Sequence, residues 1–132
     1  MTGKYAWNVT CELTLLNNDG NLLDAFNYAS IIALFRFKLP FVSIEAGKLK
    51  IHSFEEKRPQ TLSIHHFPIS MTFGITGLFS DGEEKEYIVF DPTKAEEEIF
   101  NGRISIILNV YKDICGIHYP GGCNFKSELL KE

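Results

Sequence analysis

Residues 7–15 alternate apolar and polar side chains, placing Trp7, Val9, Cys11, Leu13 and Leu15 on one side. That is the period of a strand with one face against a core. The alternation breaks at Asn17, Asn18, Asp19 and Gly20, a cluster of turn residues. Residues 23–37 then crowd apolar side chains over helical length, with Ala25, Ala29, Ile32, Ala33 and Phe35 among them, before Pro40 stops the run. A helix that is apolar nearly all round is expected to be buried on most sides. Arg36 and Lys38 fall in its last turn, where cations suit the negative end of the helix dipole.

Beyond Pro40 the pattern returns to period two. Residues 42–44 and 48–52 flank Ala46-Gly47 and predict a hairpin. Residues 55–60 are charged, contain Pro59 and lack apolar periodicity, which marks a linker between two halves. Residues 62–65 and 69–75 predict strands, and a polar turn at 80–84 leads to a strand at 87–90, forming a meander. Pro92 stands near the first turn of a short helix with Thr93 and Glu96 spaced as a capping box, ended by Asn101-Gly102. Residues 103–110 and 114–118 predict a closing hairpin around Lys112-Asp113, and Gly121-Gly122 precedes a helix over 125–130. The units are therefore 1–54 and 62–132.

The turn into the first helix carries the sharpest chemical signal. A turn entering a helix N-terminus is a natural anion site. This one contains no lysine or arginine and places Asp24 at the helix entrance. It is shaped for an anion and has the wrong charge.

Composition narrows the functional classes. With 132 residues, the chain is long enough for one core. Its formal net charge of −4 argues against a stand-alone nucleic-acid binder, since such domains usually carry a basic excess. No apolar run reaches the roughly 20 residues of a membrane helix. Met1 to Trp7 shows no basic segment followed by an apolar one, as a secretory signal would, which predicts an intracellular setting. Cys11, Cys115 and Cys123 form no CxxC pair, so reduced thiols are expected rather than disulfides or a zinc site.

Other chemical candidates weigh little. His65 and His66 are adjacent in a strand pattern and point to opposite faces, which disfavours chelation of one ion. Glu96, Glu97 and Glu98 splay by about 100° each on a helix and read as a solvated face. Gly121-Gly122 lacks the Lys-Ser or Lys-Thr of a phosphate loop. Ser63, Ser70 and Ser105 lack a nucleophile elbow, and no spacing joins Cys11 to His65 or His118. No catalytic, cofactor or metal residue is assigned.

The Asp19-Gly20-Asn21-Leu22-Leu23-Asp24-Ala25 turn and its helix resemble the RNase PH family, specifically the non-catalytic branch found in exosome rings. The resemblance continues through residues 62–73, with Ser63-Ile64-His65-His66, then Phe90-Asp91-Pro92-Thr93 with its glutamate helix, and finally Gly121-Gly122. It implies an α/β (α+β) RNase PH-like fold, with mixed β-sheets packed on a buried central helix. It begins near the middle of the typical domain, so a chain truncated in its N-terminal half is expected.

Catalytic relatives carry a Gly-Gly-Thr-Arg-Thr-Ala type turn whose arginine and amides hold the attacking phosphate. At the matching positions this chain has Leu23 for the arginine and Asp24 for the following threonine, which implies a vacated phosphate site at Gly20, Leu23 and Asp24. The acidic general acid of those relatives aligns with Arg103. The resemblance thus implies a structural subunit supporting 3′–5′ RNA processing, including that of ribosomal RNA, and degradation in nucleus, nucleolus and cytoplasm. Its implied partners are other RNase PH-like subunits, cap subunits and RNA in the assembled ring, with no membrane and no cofactor. Missing strands would leave a sheet edge on which the fragment could homodimerise. Two alternatives are an active phosphate-dependent 3′–5′ exoribonuclease that recruits Lys94 or Arg103 to phosphate, and an unrelated α/β interaction module.

Overall fold

The structure is a computed structural model that describes residues 4–80 and 83–122. Helix α1 spans Leu22–Arg36. Strand β1, Lys38–Leu39, pairs antiparallel with β4, Gln60–Thr61, bracketing a hairpin of β2, Val42–Glu45, and β3, Lys48–Ile51. The main sheet has the order β6-β5-β7-β8. It comprises β5, Ile69–Ser80; β6, Glu83–Phe90; β7, Gly102–Leu108; and β8, Ile114–His118, with helix α2, Lys94–Glu97, between β6 and β7. Every ladder among the described residues is antiparallel, and no described helix is long and apolar enough to cross a membrane.

The hairpin forms as its pattern predicts. Ala46 and Gly47 both take positive φ, 48° and 78°, which a two-residue turn needs to match strand twist. Of the expected meander only the hairpin of β5 and β6 forms, since 62–65 is not a strand and β7 pairs with β5; the hairpin tip at 81–82, the helix expected over 125–130 and Cys123 lie outside the described residues. The capping box closes α2: Thr93 N–H and Oγ1 each donate to Glu96 Oε2 at 2.8 Å, and Glu96 N–H donates back to Thr93 Oγ1 at 3.4 Å. Lys112 at φ 68° turns the last hairpin.

Several expected elements take another form. Residues 7–15 form no strand, because alternation makes a segment two-faced but a strand also needs a neighbour for its backbone groups. Residues 62–65 extend no further as a strand than Thr61; Ile64 N–H turns back onto the Leu62 carbonyl at 3.1 Å, and Pro68 offers no donor. Lys38 lies in β1 rather than in the last helical turn, and α2 stops at Glu97, ahead of Asn101. Helix α1 is less buried than its composition predicts: Ile32 and Phe35 are 63% and 64% exposed, because the described residues cover mainly the side that meets β5.

The sheet has two unlike faces. Cross-strand partners Thr72 and Ser105, and Gly74 and Arg103, share the face toward the helices, while Phe73 and Ile104, and Met71 and Ile106, share the other. The buried apolar residues Ile75 and Ile104 belong to that second face, whereas Ser70, Thr72, Thr76 and Ser105 are buried on the first. Small side chains let the helical segments approach closely: a Cβ on Gly74 would stand 2.0 Å from the Phe100 ring.

Gly74→Ala should therefore displace Phe100 and lower stability by roughly 1–3 kcal/mol in urea titration. The Thr93 backbone and side-chain hydrogen bonds hold the Glu96 carboxyl below its ordinary value of 4.5. Its stabilising effect is complete above that value and is lost as pH falls through the lower folded-state pKa. Glu96→Gln should remove this part of the acid limb from a plot of unfolding midpoint against pH.

Candidate functional site

The approach to α1 is built from residues that tolerate left-handed backbone. Gly20 has φ 97°, and Asn21, the residue before the helix, has φ 44° and ψ 44°. Gly20 also permits contact with the start of α2, since a Cβ there would lie 2.4–2.6 Å from the backbone of Pro92, Thr93 and Lys94. Lys94 N–H donates to the Asp19 carbonyl at 2.9 Å, fastening the two turns together.

Asp24 is buried, 3% exposed. Its Oδ2 accepts from Thr72 N–H at 2.8 Å and from Asn21 Nδ2 at 2.9 Å, and its Oδ1 accepts from Thr72 Oγ1 at 2.9 Å. Because the Thr72 hydroxyl proton is committed to Asp24, Ser105 Oγ donates in its 2.8 Å bond to Thr72 Oγ1. Asn21 Nδ2 also donates to Asp91 Oδ1 at 2.6 Å. One turn further along α1, Asn27 Oδ1 accepts from Ser70 N–H at 3.3 Å, and Tyr28 Oη donates to the Ser70 carbonyl at 2.8 Å. Burial, followed by the charges of Asp24 and Asp91, raises the Tyr28 pKa and keeps its hydroxyl a donor.

These bonds have one cause. Strand β6 pairs with β5 only as far as Phe73 and Phe90. Asp91, at φ 55°, gives its N–H to the Thr72 carbonyl at 3.1 Å before the chain turns away. The edge of β5 at Ser70 and Thr72 then lacks a strand, and Asp24, Asn27 and Tyr28, at i, i+3 and i+4 on one helix face, serve it instead. Sequence reasoning placed Asp24 at the anion site and missed this role. The available signal was a polar stripe of helical period in an otherwise apolar helix.

In front of this network lies a cavity of ≈ 180 Å³ lined by Asn21, Leu22, Leu23, Thr72, Glu97, Arg103, Ser105 and His118. Leu23 and Arg103, 80 positions apart, thus share one cavity, whereas Gly20 seats α2 and Asp24 faces β5 behind it. Glu97 is the residue not anticipated: its Oε1 accepts from Asn21 N–H at 3.0 Å and lies 3.9 Å from Arg103 Nη1. The cationic groups expected to serve an anion are otherwise engaged or elsewhere. Arg103 is paired with Glu97, and Lys94 contributes its backbone rather than its ammonium to the turn.

A family model described as 3′ exoribonuclease family, domain 2 (RNase PH, C-terminal) matches residues 66–132. The chain belongs to the 3′ exoribonuclease family. Along nearly all of its length this family member is similar to proteins named exosome complex component RRP45. The relatives from Bos taurus and Homo sapiens are each 37% identical over 132 residues, covering 99% of this chain and 29% of the relative. RRP45B of Arabidopsis thaliana is 41% identical over 124 residues, covering 92% of this chain and 27% of its own length. The chain therefore spans less than a third of the length of each of these three relatives. Solved structures share the fold: an archaeal exosome core at TM-score 0.60 and 24% identity, and an Archaeoglobus fulgidus exosome with RNA bound to the active site at 0.59 and 23%. Each alignment covers 88% of this chain and 40% or 39% of the other. These matches exclude a coincidental α/β module, although residues 7–15 lack their expected strand.

The remaining sequence candidates stay apart from this cavity. His65 and His66 are both exposed, and the His66 ring meets Tyr111 edge-on with centroids 6.3 Å apart. Among the described residues no group of three or more His, Cys, Asp or Glu could hold a metal. Cys11 and Cys115 are free, exposed thiols. A serine, histidine and acid do meet in the hairpin, where His52 Nε2 lies 2.7 Å from Ser43 Oγ and His52 Nδ1 3.4 Å from Glu56 Oε2. His52 is buried against Phe41, and the trio ties the hairpin to the 53–57 turn.

If Asp24 serves β5 rather than repelling an anion, its isosteric amide should unfold the edge. Asp24→Asn should cost roughly 1.5–3 kcal/mol and reduce hydrogen-exchange protection of the Thr72 amide. Leu23→Arg, at a half-exposed position, should change stability by no more than about 0.5 kcal/mol.

Proposed function

We propose that this chain is a segment of a non-catalytic exosome ring subunit of the component-forty-five (RRP45) type, supporting 3′–5′ RNA processing and degradation by forming the ring and its RNA channel. The observation that carries this reading is the 37% identity to exosome components named RRP45 along the whole chain. The absence of catalysis is supported by Leu23 at the position of the family's phosphate-binding arginine and Arg103 at that of its general acid. Both line a cavity in which the Asn21 amide already holds a carboxylate. The proposed partners are other RNase PH-like subunits, cap subunits and RNA within the ring. The proposed sites of action are nucleus, nucleolus and cytoplasm. The net charge of −4 fits a subunit that depends on neighbours for much of the positive charge facing RNA.

The test is phosphate-dependent trimming of a 3′ single-stranded RNA. The purified chain should release no nucleoside diphosphates, and when tagged in cells it should recover RNase PH-like and cap subunits. Robust phosphorolysis that disappears in a folded Arg103→Ala variant would establish the enzyme reading instead. Recovery of none of those subunits would remove the ring assignment.

A further inference from the structure

A helix N-terminus presents amides without intrahelical acceptors and a positive dipole end, so an anion there is stabilised. In this fold the anion comes from the chain itself. Glu97 is 76 positions from Asn21, yet its Oε1 accepts from the Asn21 amide at 3.0 Å, and Arg103 Nη1 lies 3.9 Å from the same oxygen. We propose that Glu97 is a built-in occupant of the α1 anion position: its carboxylate fills the place of an external oxyanion, with Arg103 as its counter-charge.

The surrounding structure delivers the carboxylate to that point. Gly20 lets the α2 start approach without a Cβ in the way, the bond from Lys94 N–H to Asp19 O fixes the approach, and the Thr93–Glu96 box orients the turn that carries Glu97. Asn21, which lines the cavity, is 6% exposed, and its Oδ1 is buried with no partner among the described residues. Near neutral pH inorganic phosphate offers acceptor oxygens for the Asn21 amide and Arg103 and a P–OH donor for Asn21 Oδ1, whereas sulfate lacks the donor. The Arg103 side chain is half-exposed and its ion pair long, so removal of Glu97 leaves it free to meet such an ion.

This inference rests on the non-catalytic reading and deepens it: Leu23 weakens the site by omission, whereas Glu97 excludes phosphate by occupancy. The experiment titrates labelled wild-type, Glu97→Ala and Glu97→Gln chains with inorganic phosphate, with sulfate in parallel, and follows the amide resonances of Asn21, Leu22 and Leu23. Wild type should stay unmoved. Glu97→Ala should shift saturably with a phosphate Kd at least about tenfold below any wild-type value, and adding Arg103→Ala should abolish the shift. If Glu97→Ala loses its dispersed spectrum, Glu97→Gln, which keeps an acceptor but no charge, decides the question. Unmoved amides in the folded variants, or equal saturation of wild type, overturn the proposal. An RNA-trimming assay on wild type separates the two claims. Silent variants with an inactive wild type remove only the role of Glu97, whereas phosphate-dependent trimming by wild type removes both.

Discussion

The Asp24 carboxylate holds one edge of β5 at the point where the neighbour on that side, β6, has turned away. Strand β6 leaves β5 at Asp91, and the backbone of Ser70 and Thr72 would otherwise be buried without partners. A buried, unpaired backbone donor costs about as much as a lost hydrogen bond. The fold meets this constraint with one helix face, where Asp24, Asn27 and Tyr28 supply acceptor and donor groups in place of a longer β6. The position of α1 over the sheet, and hence of its N-terminus over the cavity, follows from those bonds.

A second constraint sets what the cavity can do. Gly20 brings the start of α2 against the turn that precedes α1, and this contact carries Glu97 to the Asn21 amide. The N-terminus that would attract an external anion is therefore matched by an internal carboxylate, and Arg103 balances that charge across the cavity. The Leu23 side chain, which also lines the cavity, offers no hydrogen bond. The same close approach that makes the turn resemble an anion site supplies the group that fills it.

The hairpin at Ala46-Gly47, the β5–β6 hairpin and the Thr93–Glu96 box were legible because each depends on residues close in sequence: period-two alternation, turn residues with positive φ and a side chain three positions from its backbone partner. The strands expected over 7–15 and 62–65 were not, because alternation states that a segment has two faces and says nothing of whether another backbone lies alongside. The burial of α1 was overstated for a related reason. An apolar circumference describes what could be covered, and Ile32 and Phe35 remain exposed where the described residues supply no cover. In the site, Leu23 and Arg103 could be named from the order of motifs, but the Asp24 bonds to Thr72 span 48 positions and the Glu97 bond to Asn21 spans 76.

The hairpins and the capping box, the turn before α1 with no cation beside it in the chain, and the family order of motifs could all be read along the chain, since each rests on residues close in sequence. What the two acidic residues do emerged only once the fold had brought distant elements together. Asp24, read as a charge facing an incoming anion, turns inward to complete the edge of β5, and Glu97, read as solvated surface, turns in to take the amide left for that anion. The physical reason is that a carboxylate's role is set by the donors that converge on it, and here those donors come from other elements of the fold.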